Sequence, residues 1–172
     1  MGKKFSKPAI SFLLCTRNRA ETARECVLNL LKSGRSDIEV VVRDNCSTDD
    51  TLEVLNEIKD SRLKIYKAPE NQGTRSFFEI TKLASGRIVT WLSDEDDFEF
   101  EHLDYILSKF DEPNCNVLFG SIIVGPAQNC VQFPDETAKN AVRSNLMGLG
   151  FSGCGGIFIR SSCLSDANSF NV

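Results

Sequence analysis

AISFLLCTRNRAETARECVLNLLKSG, residues Ala9–Gly34, joins a continuous apolar run to a polar loop and then to a segment of different period. Ala9 to Cys15 has the length and composition of a strand buried on both faces. Asn18 and Glu21 have the spacing of a capping box, and Ala23, Val27, Leu30 and Leu31 then recur at helical spacing until Gly34. The same order repeats at once. Ile38 to Val42 predicts a second strand, and Ser47 with Asp50 predicts the cap of a helix carrying Leu52, Leu55 and Ile58 on one face. A third strand, Leu63 to Ala68, leads into the loop PENQGT, after which Ser76 and Glu79 predict the cap of a helix running to about Ala84. Ser85-Gly86 stops that helix, and Ile88 to Leu92 is the fourth strand. Farther on, Glu101 to Phe110 reads as a helix, Asn116 to Val124 as a strand and Asp135 to Met147 as a helix. The glycine-rich GFSGCGGIFI, residues 150–159, approaches a last short strand.

Alternating strands and helices predict an α/β fold: a mostly parallel, Rossmann-like sheet in a three-layer α/β/α arrangement. Ligands of such sheets bind at the carboxyl ends of the strands. Here those ends carry Thr16-Arg17-Asn18-Arg19, Asp44-Asn45-Cys46-Ser47, Glu70-Asn71-Gln72-Gly73 and Ser93-Asp94-Glu95-Asp96, all polar. With 172 residues, no linker and no internal repeat, residues 1–172 are expected to form a single domain.

A formal charge of -4 lacks the basic excess of a nucleic-acid-binding protein. Seven cysteines form no CxxC pair, and with His102 as the only histidine they argue against zinc and for reduced, partly buried thiols. Ala9 to Cys15 is too short to span a bilayer and no small-residue cleavage site follows MGKKFSKP, so a cytoplasmic chain is expected.

The apolar fourth strand runs directly into Asp94, Glu95, Asp96 and Asp97. Asp94 and Asp96, one residue apart past a strand end, can aim hard oxygen ligands at one point, which suits Mg²⁺ or Mn²⁺ completed by substrate phosphates. The bland reading of the same cluster is a solvated acidic loop with Asp97 capping the next helix. Asp44 can accept from the imide N–H of a base, or serve as a turn residue. Arg17 and Arg19 flank the start of the first helix, where a diphosphate is favoured, and Arg75 follows Gly73 as a further phosphate contact. For each arginine the alternative is a solvated surface cation. Phe98, Phe100 and Phe133 could offer an acceptor platform, but aromatic residues at such spacing belong more often to a core.

ISFLLCTRNRAET, VVVRDNCSTDDTLEVL, PENQGT, ASGRIVTWL and SDEDD resemble, in order, the successive motifs of the family 2 inverting glycosyltransferases with the GT-A fold. The likeness covers about Ile10 to Phe98. It implies a nucleotide-sugar donor, commonly a UDP-sugar, a divalent metal held by the DxD aspartates, and a saccharide or lipid-linked acceptor. Under it, about 9–98 form the nucleotide-sugar- and metal-binding half and 99–172 a shortened acceptor-side half. Thr16, Asn18 and Arg19 resemble the donor-binding first loop and Asp44 the acid that contacts the base. Asn71 and Gly73 belong to the third donor loop, Ser93 and Asp94 to the ribose side, and Asp94 and Asp96 to the metal; Glu95 with Asp97 is the alternative frame for the DxD. Peripheral association with the cytoplasmic face of a membrane is compatible with such acceptors, and nothing in the sequence specifies an oligomeric state.

The sequence departs from this pattern twice. Relatives commonly place an arginine and an asparagine in the helix after the third loop, where Phe78 and Glu79 stand here. Inverting transfer also needs a general base, and the family's acidic motif is expected beyond Val172, leaving Asp166 as the only acid after the glycine-rich segment, for which a surface or cap role is the favoured alternative. Two other readings rank below the transferase. One is a truncated or degenerate module that binds nucleotide and metal without turnover; the other is a Toprim-like metal-dependent phosphodiester enzyme, which the acidic balance disfavours.

Overall fold

The computed structural model describes residues 7–119, 122–124, 129–131 and 156–165. Its main sheet has six strands: β1 (Ile10–Thr16), β2 (Ile38–Asp44), β3 (Leu63–Lys67), β4 (Ile88–Leu92), β5 (Val117–Phe119) and β8 (Ile157–Arg160). They stand in the order β3-β2-β1-β4-β8-β5. β1 to β4 are mutually parallel, whereas β8 runs antiparallel to both β4 and β5. The expected parallel α/β sheet is present, with an antiparallel margin. β6 (Ile122–Val124) and β7 (Asn129–Val131) pair separately. The single strand expected over Asn116–Val124 is therefore two, β5 and β6, which belong to different sheets. The expected helix Asp135–Met147, Phe133 and the glycine-rich residues 150–155 lie outside the described residues.

α1 (Ala20–Leu31), α2 (Thr51–Asn56), α3 (Arg75–Thr81) and α4 (Leu103–Lys109) link the strands, and a short helix α5 (Ser162–Ser165) follows β8. Because side chains alternate along a strand, β1 supplies both faces of the sheet. Phe12 and Leu14 pack with Val40, Val42, Val27 and Leu30 of β2 and α1 and with Leu103 and Ile106 of α4. Leu13 joins Val41, Val89 and Ile80 of α3 on the opposite face. Phe98 and Phe100 belong to the first of these cores: Phe98 lies 4.8 Å and Phe100 5.7 Å from the Phe12 ring, edge to face. They are thus committed to packing, which anchors the acidic loop just upstream.

The local caps expected from sequence do not form. Asn18 takes φ 55° and Arg19 holds the N-cap position of α1 without a side-chain cap bond. The amides at that helix start are met from a distant segment: Arg19 N–H donates to Thr51 Oγ1 at 3.0 Å and Ala20 N–H to the Asp49 carboxylate. Asp49 also accepts from Thr51 N–H at 3.1 Å, replacing the expected Ser47–Asp50 cap of α2. Ser76 is buried inside α3 rather than capping it.

At the amino ends of the strands, Glu39 is only 2% exposed in a strand that is otherwise apolar until Arg43. Its carboxylate accepts from the Ser11 hydroxyl, Ser85 N–H at 2.5 Å, Ser85 Oγ at 2.7 Å, Gly86 N–H at 3.1 Å and Lys64 Nζ at 2.6 Å. Gly86 is required at this junction: a Cβ there would lie 2.8 Å from Ser11 N and 2.9 Å from Ile10 C. Burial raises the Glu39 pKa, but the Lys64 ammonium and the hydroxyl and amide donors outweigh it and hold the group at about 2. Folding therefore gains from Glu39 above the usual carboxylate range and loses that gain as pH falls toward 2. Glu39→Gln should cost about 3 kcal/mol at neutral pH, and the gap between parent and variant should close on acidification from about pH 4.5 to 2. Urea denaturation across that range checks this; a gap that widens in acid would contradict it.

Candidate functional site

Register alone brings the candidate residues together. Thr16 faces Asp44 across β1 and β2, and Leu14 faces Leu92 across β1 and β4. Two residues beyond that second pair, Thr16 meets Asp94, to which its hydroxyl donates at 3.0 Å. Asp44, Thr16 and Asp94 thus form one row across the carboxyl edge of the sheet. All three are nearly covered, at 0%, 3% and 7% exposure.

The acidic loop is seated on one face of α1. Arg19 Nη1 donates to Asp94 Oδ1 at 2.9 Å and to the Glu95 carboxylate. One side of the helix farther along, the Cys26 thiol lies 3.8 Å from Ser93 O and 3.7 Å from Asp96 O, and Asn29 Nδ2 donates to Asp97 Oδ1 at 3.1 Å. Burial and the Asp94, Asp96 and Asp97 charges push the Cys26 thiol up to about 12, so it acts as a buried support and not as a nucleophile. Asp96 Oδ2 accepts from Ser93 N–H at 2.8 Å, closing the turn, while Asp96 Oδ1 accepts no hydrogen bond among the described residues.

The first and second loops are tied by paired contacts. Asn18 N–H donates to Ser47 Oγ at 2.9 Å and Asn18 Oδ1 accepts from Thr48 N–H at 2.8 Å. Asn18 and Cys46, at φ 55° and 63°, are the positive-φ non-glycine residues among those described, one in each loop. Such backbone is retained only where its surroundings hold it. Both Asp44 carboxylate oxygens accept from Ser47 N–H at 3.2 Å, and the Ser47 hydroxyl also donates to Asp44.

Asn45 joins the third loop: its Nδ2 donates to Asn71 Oδ1 at 2.9 Å and its Oδ1 accepts from Gln72 N–H at 2.9 Å. Asn71 Oδ1 also accepts from Gly73 N–H at 3.1 Å, and Gly73 sits at φ 52°. Beneath this loop the 8%-exposed Arg43 donates to Gln72 Oε1 at 2.6 Å and Ser76 Oγ at 3.2 Å. Arg43, Asn45, Cys26 and Asn29 were not singled out in the sequence. A lone arginine in VVVRD, next to three valines, is the one local sign that a charge is buried there.

Thr16, Arg17, Arg19, Asn45, Gly73, Ser76, Ser93 and Asp94 line a cleft of about 270 Å³. Arg17 is exposed in it, whereas Arg19 turns to the acids. The start of α1 is already occupied by Asp49, so anion attraction in this loop falls to the arginines. Arg75 is exposed and 3.5 Å from Glu79 on its own helix, away from the cleft lining. Asp166 lies outside the described residues. A larger open groove of about 530 Å³ between α1 and α2 gathers Leu28, Leu31 and Ile58 among mixed charges but no converging loop ends.

Asp94 and Asp96 place hard carboxylate oxygens just past one strand end, the ligand type that Mg²⁺ or Mn²⁺ takes together with water and phosphate. Among the described residues the groups within 4.8 Å that could supply three ligands reduce to Glu99, Glu101 and His102, all exposed and outside the cleft lining.

The profile of the family described as Glycosyl transferase family 2 matches residues 11–156. UDP-Glc:alpha-D-GlcNAc-diphosphoundecaprenol beta-1,3-glucosyltransferase WfaP of Escherichia coli is 32% identical over 88 residues, 51% of this chain and 35% of its own length. The S. aureus TarS fragment 1–349 in complex with UDP-GlcNAc superposes with a TM-score of 0.69 at 23% identity, covering 92% of this chain and 47% of that one. The mannosyltransferase PcManGT from Pyrobaculum calidifontis in complex with GDP-Man and Mn²⁺ superposes with a TM-score of 0.68 at 20% identity, covering 97% and 48%. These two likenesses establish the fold. The chain spans between 35% and 60% of the length of the curated relatives it matches.

The Thr16 hydroxyl is one of two donors that meet the covered Asp94 carboxylate. Thr16→Val keeps the shape and leaves the covered carboxylate one donor short, which should cost about 1–3 kcal/mol of stability by urea denaturation. Parent-like stability would place Asp94 in water and contradict the burial described.

Proposed function

Since the chain belongs to glycosyl transferase family 2, we propose that it carries the donor site of an inverting glycosyltransferase that takes a nucleoside-diphosphate sugar, with UDP as the favoured nucleotide. The observation that carries this reading is the Asp44–Thr16–Asp94 row, with Asp96 two residues past Asp94 and Arg17 lining the cleft that Thr16 and Asp94 also line. Asp44 is the acceptor for a ring N–H beside a carbonyl, which uracil and guanine possess and cytosine lacks. Thr16, Asn18, Arg19, Asn71, Gly73 and Ser93 shape the pocket for the nucleotide sugar, and Arg17 faces its diphosphate. Arg75 is retained as an outer phosphate contact that must first leave Glu79.

Asp94 and Asp96 would hold Mg²⁺ or Mn²⁺, which supplies charge neutralisation at the leaving diphosphate. Residues 9–98 serve this donor half and 99–172 the acceptor side, where a saccharide or lipid-linked hydroxyl attacks the anomeric carbon from the opposite face. Asp166 is the proposed base for that hydroxyl. No helix among the described residues is long and apolar enough to cross a membrane. The proposed setting is the cytoplasm, with peripheral contact at the membrane face where lipid-linked acceptors are presented.

Calorimetric titration with UDP, GDP and CDP, each with and without Mn²⁺, tests the donor site. UDP should bind in a Mn²⁺-dependent manner, Asp96→Ala should lose that dependence, and CDP should bind at least about tenfold more weakly than UDP, since it lacks the N–H that Asp44 accepts. Asp166→Asn should keep the binding and lose transfer. Unchanged Mn²⁺ dependence in Asp96→Ala would refute the metal assignment, and equal affinity for all three nucleotides would remove the role of Asp44.

A further inference from the structure

Resting on the donor-site reading above, we infer that Arg19 is a resident counter-cation of the acidic loop, holding Asp94 and Glu95 until a divalent ion takes their oxygens, and that its release toward the cleft couples metal binding to diphosphate binding. Asp94 to Asp97 put four carboxylates on successive residues, and among the described residues Arg19 is the one cation within ion-pair distance of any of them. The pair is asymmetric. The Asp94 side chain is 5% exposed and pinned by Thr16, whereas the Arg19 side chain is 47% exposed and its stem ends in solvent. The acid is therefore fixed and the base is the partner that moves.

A hard cation and the guanidinium compete for the same carboxylate oxygens, because Asp94 Oδ1 accepts from Arg19 and Oδ2 from Thr16. An ion that takes the Arg19 side frees a guanidinium already at the first loop, where it lines the cleft beside Arg17. A diphosphate then meets two arginines in place of one. Reciprocity of linkage requires that metal raise nucleotide affinity by the factor by which nucleotide raises metal affinity. Arg19 accounts for part of that factor without touching either ligand in the resting state.

The test is Mn²⁺ titration, followed by electron paramagnetic resonance of the free ion, on the parent, Arg19→Ala and Arg17→Ala, each without nucleotide and with saturating UDP. Arg19→Gln repeats the measurement with a less severe truncation. Without nucleotide, Arg19→Ala should bind Mn²⁺ about tenfold more tightly than the parent, since it frees one nearly covered and one exposed carboxylate from ion pairing. Its enhancement by UDP should shrink by a similar factor. Arg17→Ala removes equal charge from the same loop but breaks no ion pair among the described residues, and should stay within about twofold of the parent without nucleotide. Equal or weaker binding of Mn²⁺ by Arg19→Ala, or equal tightening by Arg17→Ala, would overturn the role of Arg19 while UDP-dependent Mn²⁺ binding kept the donor site. Absence of Mn²⁺ binding in every chain, with UDP present, would overturn both.

Discussion

The parallel pairing of β1 with β2 on one side and β4 on the other governs the rest of the molecule. A strand buried on both faces cannot slip by one residue without exchanging Phe12 and Leu14 for Leu13 between two separate cores. The register is thus set by packing, far below the loops. Its consequence appears at the carboxyl edge, where Asp44, Thr16 and Asp94 fall into line although 28 and 78 residues separate Thr16 from its neighbours in the row. The polar geometry is inherited from the apolar one.

Glu39 and Asp94, two of the buried carboxylates, stand at opposite edges of the parallel sheet and differ in what meets them. Glu39 is met by five donors, one of them an ammonium, and clamps the turn before β4 to β2. It has no lone pair left to offer a ligand at modest cost. Asp94 is met by one hydroxyl and one half-exposed guanidinium, and the neighbouring Asp96 keeps an oxygen outside any hydrogen bond among the described residues. A carboxylate held by partners that can be exchanged is the kind a metal and a phosphate can use. The phenylalanines after the loop and Cys26 and Asn29 beneath it fix the backbone, so that exchange occurs at side chains.

β1, β4 and the middle of β2 were legible because burial on both faces writes them as apolar runs, whereas the edge strand β3 alternates as LKIYK; Asp44 and Asp94 were legible because they follow such runs. The caps were not. Asn18 has the right spacing, but Asp49 and Thr51 reach the helix start from the neighbouring loop and leave Asn18 to bind Thr48. Local spacing cannot reveal a partner 30 residues away. Arg43 and Asn45 were hidden for the same reason: their work is to carry the third loop, and that loop is adjacent only in the folded sheet. The run Asn116–Val124 read as one strand because its apolar character continues past Phe119, although its two ends pair in different sheets.

On the proposed reading, metal and diphosphate meet at the Thr16–Asp94 edge. Manganese broadening of backbone amide resonances in the UDP-bound protein measures this most directly, since the effect marks only nuclei near the ion. The account predicts that Ser93 to Asp97 and Arg17 to Arg19 broaden first. Broadening centred on Glu99, Glu101 and His102, or spread without a centre, would contradict it.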